Sequence, residues 1–147
     1  SLHDRLAILG AEMLFATISL IMAGTVHPVK QDPSQATLAP RIKKEDCVIN
    51  WSRSVRDVLS LIRGLSPSPG AYTMLDGKKL KIYAARGEAT PAVLPPGTVS
   101  ILSDGRLAVA AADGFVYPED IQMENKNRMA MRDFLRGYRI APGTTLG

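Results

Sequence analysis

Three lysines, Lys78, Lys79 and Lys81, follow directly on the dipeptide Asp76-Gly77. Arg41, Lys43 and Lys44 form a second basic knot, with Glu45 and Asp46 immediately after it. Lys126, Arg128, Arg132 and Arg136 make a third group towards the end of the chain. Such side chains neutralise phosphates, and on a nucleic acid they give affinity and orientation with little reading of sequence. Each group also has a plainer reading. Lysines on a strand edge discourage pairing with other chains, a basic knot balanced by acids suits a solvated linker, and arginines on a helix suit a charged surface. The residues alone leave both readings open. Trp51 and Tyr72 carry rings of the kind that stack on bases, but each lies beside apolar residues at an element boundary, which favours core packing. Cys47 has no histidine or other base near it in sequence to activate it as a nucleophile. Two histidines, His3 and His27, and one cysteine give no metal-ligand spacing, so no metal is expected.

The elements that must position these residues follow from periodicity. Leu6, Leu9, Met13, Leu14, Ile18 and Ile21 approximate helical spacing and predict a helix over 3–22, stopped by Gly24. That helix is apolar over much of its circumference and needs burial on several sides. Its charge-free stretch of about ten residues falls short of the ~20 that cross a bilayer, which favours a buried helix and no membrane. Residues 24–50 hold three prolines before Arg41 and no sustained period, and read as a crossing segment or linker. "WSRSVRDVLSLIRG" predicts a helix capped by Ser52 or Ser54, with Gly64 just past its end. Strands follow. "AYTML", the Asp76-Gly77 turn and "KKLKIYAA" predict a type I′ hairpin. Alternation puts Leu80, Ile82 and Ala84 on one face and Lys79, Lys81 and Tyr83 on the other. "GTVSIL", a turn at "SDGR" and "LAVAAAD" predict a second hairpin. "GFVYPEDIQM" is a fifth strand, interrupted at Pro118. Short strands at regular spacing suggest a small barrel. A final helix is expected from about Ala130 to Tyr138, followed by a loop, "APGTTLG".

The chain's 147 residues suffice for one domain with a core, or one domain plus an appended piece. The single cysteine excludes an internal disulfide and fits a reducing compartment. Ser1–Asp4 is not the basic start of a secretory signal. Residues 1–40 carry two basic against three acidic side chains, whereas residues 41–147 carry sixteen against eleven. The basic surplus thus lies in the second part, which favours a polyanionic partner there.

"LHDRLAILGAEMLFATI", "PRIKKEDCVINW", "IRGLSPSPGAYT", "LKI", "PPGTV", "LAVAAADG", "IQMENKNRM" and "DFLRG" occur in the order seen in bacterial methionyl-tRNA formyltransferases. The resemblance runs from Leu2 to about Gly137 and rests on the ordered series rather than on any one motif. It implies a mainly β domain with helices, an OB-like open β-barrel, over residues 41–147. Residues 1–23 would be the last helix of an N-terminal Rossmann-like catalytic domain, and residues 24–40 the linker. The implied partners are initiator methionyl-tRNA and that catalytic domain, with 10-formyltetrahydrofolate as the parent enzyme's formyl donor and a cytoplasmic location. The family's catalytic Asn, His and Asp and its SLLP-type loop have no counterpart here. The resemblance therefore implies no catalytic residue and no cofactor in these 147 residues, and no activity from them alone.

Three departures stand out. Ser68 replaces a common Trp, Asn50 replaces the usual Asp before Trp51, and Asn125 and Asn127 stand where Gly and Lys are usual. The alternatives are the C-terminal domain of another formyl-transfer enzyme (a formyltetrahydrofolate dehydrogenase or a sugar-amine formyltransferase), a stand-alone RNA-binding module, and a structural domain with an incidental basic surface.

Overall fold

A computed structural model describes residues 2–90 and 94–147. Contacts divide the chain into two compact units, Ser1–Pro40 and Arg41–Gly147.

The first unit holds helix α1, Leu2–Met22, and a single 3-10 turn, Pro33–Gln35. Asp32 caps that turn by accepting from the Ser34 N–H at 2.9 Å. None of the described residues of α1 is buried, and Leu6, Met13, Phe15 and Ile21 are all exposed. The sequence argument from length does not hold, because it counted only the charge-free part. The whole 21-residue helix is long and apolar enough, by length and composition, to cross a membrane. A core helix without its partner has the same signature, so length and composition do not separate the two.

In the second unit a six-stranded sheet wraps round one core, with strand order β1-β2-β5-β4-β3 and β6 added on β5. The strands are β1 Ala71–Leu75, β2 Lys78–Glu88, β3 Val99–Ile101, β4 Leu107–Ala111, β5 Gly114–Met123 and β6 Met129–Ala130. Every ladder is antiparallel. This is the open β-barrel with helices that the sequence predicts. Its core is built from Ile62, Leu75, Leu80, Ile82, Val99, Leu107, Val109, Val116 and Ile121, each almost wholly excluded from solvent. Helix α2, Val55–Leu65, covers it with Val55, Val58, Ile62 and Leu65. Gly87 lets α2 approach β2, since a Cβ there would meet the Val55 side chain at 2.4 Å.

The start of α2 is fixed twice. Ser54 accepts from the Asp57 N–H, and Asp113, from the β4–β5 turn, accepts from the Val55 N–H at 2.7 Å. Its end differs from expectation. Gly64 lies inside the last turn, because burial of Leu65 carries the helix two residues further before Pro67. Asp76 and Gly77 both have positive φ, 49° and 73°, as a type I′ turn requires.

Three further differences concern the strands. The alternation in β2 changes phase after Ile82. The ladder with β5 shifts register between Ile82 and Ala84 and again between Ala84 and Ala85. Tyr83 is therefore largely buried, and Ala85 rather than Ala84 packs on the core. β5 shifts phase opposite, with Val116 and Ile121 both fully buried. The paired irregularity bends the sheet, as bulges do. It also accommodates Pro118 inside β5, paired with Ala85, where an interruption was expected. Finally, the tail read as a loop lies along β3: Val99 N–H donates to the Thr144 carbonyl at 2.8 Å, Thr98 bridges Thr145, and Leu146 is buried.

Candidate nucleic-acid interface

The outer side of the β1-β2-β5 ladder carries aromatic rings with cations laid on them. Lys79 lies opposite Met74, and Lys81 lies between Tyr72 and Gln122. The Lys79 ammonium stands 4.3 Å from the Tyr72 ring centroid. The Lys81 ammonium donates to the Pro69 carbonyl at 2.9 Å. The Tyr83 hydroxyl donates to Gln122 Oε1 at 2.7 Å, and Gln122 Nε2 donates to the Lys126 carbonyl at 2.9 Å. Arg128 closes the row. Its guanidinium lies 4.3 Å from the Tyr83 centroid, and its Nε donates to Asp120 Oδ2 at 2.8 Å. The hydrogen bonds to Asp120 hold the Arg128 pKa above its ordinary value. Cation–π contacts of this kind, with opposing carboxylates, orient long side chains that would otherwise lose rotamer entropy on binding.

Lys79 and Lys81, from one group in the sequence, and Arg128, from another, thus each hold a contact along neighbouring strands of one sheet, and Lys126 joins the Tyr83–Gln122 pair through its main-chain carbonyl. Lys78 is exposed at the start of the same strand. Helix α3, Met131–Gly137, buries Met131 and Phe134 and leaves Arg132 and Arg136 exposed, flanking Asp133 at 3.8 and 3.1 Å. The chain of pairings continues to them, because Asp120, the Arg128 partner, pairs with Ala130 immediately before α3. Arg41, Lys43 and Lys44 are exposed and join the sheet through the main chain. The Lys43 N–H donates to Asp46 Oδ2, Cys47 Sγ donates to the Lys43 carbonyl, and the Ile49 N–H donates to the Tyr72 carbonyl.

Trp51 is packed in the core, with Nε1 donating to Thr73 Oγ1 at 3.1 Å. Tyr72 is only partly buried and serves as the platform under Lys79. Cys47 is buried. Among the described residues no three His, Cys, Asp or Glu side chains gather as metal ligands. The arrangement is one for binding anions. Asn125 has φ +59°, in the left-handed region, which accounts for a Gly-or-Asn choice at that position.

Sequence reasoning missed Arg86 and Arg106. With Arg132, from the third basic group, they line a groove of about 430 Å³ together with Tyr117 and Glu119. The Arg106 guanidinium carbon lies 5.2 Å from the Tyr117 centroid, and its Nε pairs with Asp104 at 2.6 Å. Hydrogen bonds from Arg106, main chain first and side chain second, hold the Asp104 carboxyl below its ordinary range. Arg86 pairs with Glu119 at 2.7 Å. Arg86 and Arg106 stand singly in the sequence and give no local signal, and the register shift in β2 determines which of its side chains point outwards.

Residues 41–139 match the formyl transferase C-terminal domain family. Curated relatives named methionyl-tRNA formyltransferase extend the similarity across the whole chain. That of Syntrophus aciditrophicus (strain SB) is 47% identical over 146 residues, which is 99% of this chain and 47% of its own length. That of Geotalea uraniireducens (strain Rf4) is 45% identical over 152 residues, covering 100% and 46%, and that of Bacillus subtilis (strain 168) is 38% identical over 148, covering 100% and 47%. The chain therefore spans about half the length of the curated relatives it matches. Among solved structures, HypX from Aquifex aeolicus in complex with tetrahydrofolic acid superposes with a TM-score of 0.64 at 20% identity, over 84% of this chain and 22% of that one. A variant of the same protein gives 0.63 at 21%, over 89% and 24%. At that identity the likeness is one of fold. The match over two thirds of the residues, on a sheet of the same architecture, is decisive: this chain belongs to the formyl transferase C-terminal domain family.

Proposed function

We propose that this chain is the C-terminal, tRNA-binding part of a methionyl-tRNA formyltransferase, the enzyme that formylates the amino group of initiator methionyl-tRNA from 10-formyltetrahydrofolate. The observation that carries the reading is the row of oriented cations along β2 and β5, on a chain similar throughout to proteins of that name. Lys78, Lys79, Lys81, Lys126, Arg128, Arg132 and Arg136 would follow the tRNA backbone, with Arg41, Lys43 and Lys44 as a tether on the same backbone. In this reading residues 1–23 are the last helix of the catalytic domain, residues 24–40 the linker, and residues 41–147 the OB-like tRNA-binding domain. The whole works in the cytoplasm, away from membranes. The donor folate and the chemistry belong to the catalytic domain, and these 147 residues bind without turnover. Relatives of 38–47% identity carry the methionyl-tRNA name, whereas the HypX likeness stands at 20–21%, which favours this reading over another formyl-transfer enzyme.

The test is the triple change Lys78→Glu, Lys79→Glu, Lys81→Glu in the full-length protein. Lys78 is exposed and Lys79 and Lys81 are only half-buried, none of them in the core, so the fold survives. The expected outcome is a raised KM for methionyl-tRNA and a flatter salt dependence, by roughly one unit of log–log slope at most per lost contact. Binding of the folate donor should not change. Unchanged tRNA affinity and salt slope would reduce these lysines to a solvated edge.

A further inference from the structure

We infer that the groove lined by Arg86, Arg106, Arg132 and Tyr117 receives one unpaired nucleotide of an RNA strand, with the base laid on the Arg106 guanidinium and the phosphate met by Arg132 and Arg86. The inference rests on the RNA-binding reading above and adds a site of different chemistry to it. The row on β2 and β5 offers point charges, which serve any phosphate backbone. The groove offers a plane.

Arg106 is fixed in two ways. Its guanidinium lies over the Tyr117 ring, 5.2 Å from the centroid. Its Nε is held by Asp104 at 2.6 Å, while its own main-chain N–H donates to the other oxygen of that carboxylate at 3.0 Å. One face of the guanidinium is thus occupied by Tyr117. The side chain is still 61% exposed, which leaves the opposite face to the groove. A guanidinium plane held in this way is a stacking surface for an unstacked base. Asp104 occupies one edge of it, so the site does not recruit a phosphate through Arg106.

The phosphate partners are more open. Arg132 is 83% exposed and reaches Asp133 only at 3.8 Å, and Arg86 is 81% exposed with only its Nε paired to Glu119. Each guanidinium has five N–H donors, so most remain available. A volume of about 430 Å³ falls in the range of small-ligand clefts and suits one nucleotide. Continuity argues for a strand rather than a free mononucleotide. Ala130 lines the groove and pairs with Asp120, which holds Arg128 at the end of the cation row. A backbone following that row reaches the groove without leaving the surface.

The experiment uses the 147-residue chain with three fluorescent probes: a single-stranded RNA of about twelve nucleotides, a duplex RNA of the same length, and adenosine monophosphate. Arg106→Lys keeps the charge and loses the plane. It should weaken single-strand binding by about fivefold or more, the scale of one lost base stack, and leave duplex binding within about twofold. Tyr117→Leu removes the support beneath Arg106 and should act in the same sense. It provides a second reading if the lysine variant melts early. Lys79→Glu with Lys81→Glu should weaken both RNAs alike. If Arg106→Lys changes neither RNA, or both equally, while the lysine pair weakens both, the nucleotide site is overturned and the cation row stands. Tight binding of adenosine monophosphate, unmatched by the single strand, would overturn the strand assignment. Failure of the unmodified chain to bind either RNA would overturn both readings.

Discussion

Thr73→Val tests how the segment leading from the basic knot is fastened to the sheet. Trp51 and Thr73 are 4% and 1% exposed, and the Trp51 Nε1–H donates to Thr73 Oγ1 at 3.1 Å across 22 residues of sequence. Valine matches threonine in shape, so the change opens no cavity. It removes the acceptor and leaves an indole N–H buried without a partner, which costs about 1–3 kcal/mol. The new methyl group returns up to about 0.8 kcal/mol of burial, so a net loss of roughly 1–2 kcal/mol is expected. With a urea m-value of about 1–2 kcal/mol/M, the midpoint should fall by roughly 0.5–2 M at unchanged slope. Trp51 is the only tryptophan in the chain, so its fluorescence reports unfolding directly in wild type and in Thr73→Val. Trp51→Phe and the double variant, followed by far-ultraviolet circular dichroism, complete a cycle. The double variant should lie above the sum of the singles by about 0.5–1.5 kcal/mol, the net worth of one hydrogen bond. A Thr73→Val protein as stable as wild type, or a coupling indistinguishable from zero, would show that the indole N–H has another outlet and that packing alone holds Trp51.

Two further outcomes follow from backbone and hydrogen-bond geometry. Gly97 has φ +84°, and a Cβ there would lie 2.6 Å from the Leu146 carbonyl oxygen. Gly97→Ala should therefore lift the tail from β3 and cost about 1–3 kcal/mol, with loss of amide-exchange protection at Val99 and Leu146, and normal protection there would refute it. Tyr138 donates to Asp76 Oδ2 at 2.6 Å, and that hydrogen bond, chiefly, holds its phenol above the ordinary value. A raised folded-state value means the contribution is complete below the unfolded phenol pKa of about 10 and is lost as pH rises through the folded one. Absorbance titration should show Tyr138 ionising late, and Asp76→Asn, which tolerates the left-handed turn position, should bring it back.

Legibility in the sequence tracked how local the determining physics is. The Asp76-Gly77 hairpin, the Ser54 cap and the apolar face of α2 are decided within a few residues, and the expected and observed structures agree there. The end of α2 is decided by burial of Leu65 against the sheet, so a local rule about Gly64 placed it two residues short. The tail has no alternation, and its pairing with Thr98 and Val99 is a tertiary event that begins 44 residues earlier in the chain. α1 shows the opposite limit. Its helical period is legible, but what covers it is not, because an apolar stripe records that a partner is needed and not which one.

The candidate site divides along the same line. The three basic groups were visible because charge clusters are visible. That Lys79, Lys81, Lys126 and Arg128 come to neighbouring places on one sheet depends on the β2–β5 register and on Gln122 and Asp120, neither of which announces itself. The groove depends on the bulge. With strict alternation from Leu80 through Ile82 and Ala84, Arg86 would have fallen on the core face, where an unpaired guanidinium is not tolerated. The register shift after Ile82 turns Ala85 inwards and Arg86 out, opposite Tyr117, and so places a cation beside the ring that supports Arg106. One irregularity in one ladder thereby does two things: it bends the sheet around its core and converts the outer face from a row of lysines into a lined groove. An insertion or deletion that restored regular pairing between Ile82 and Ala85 would have to give up both.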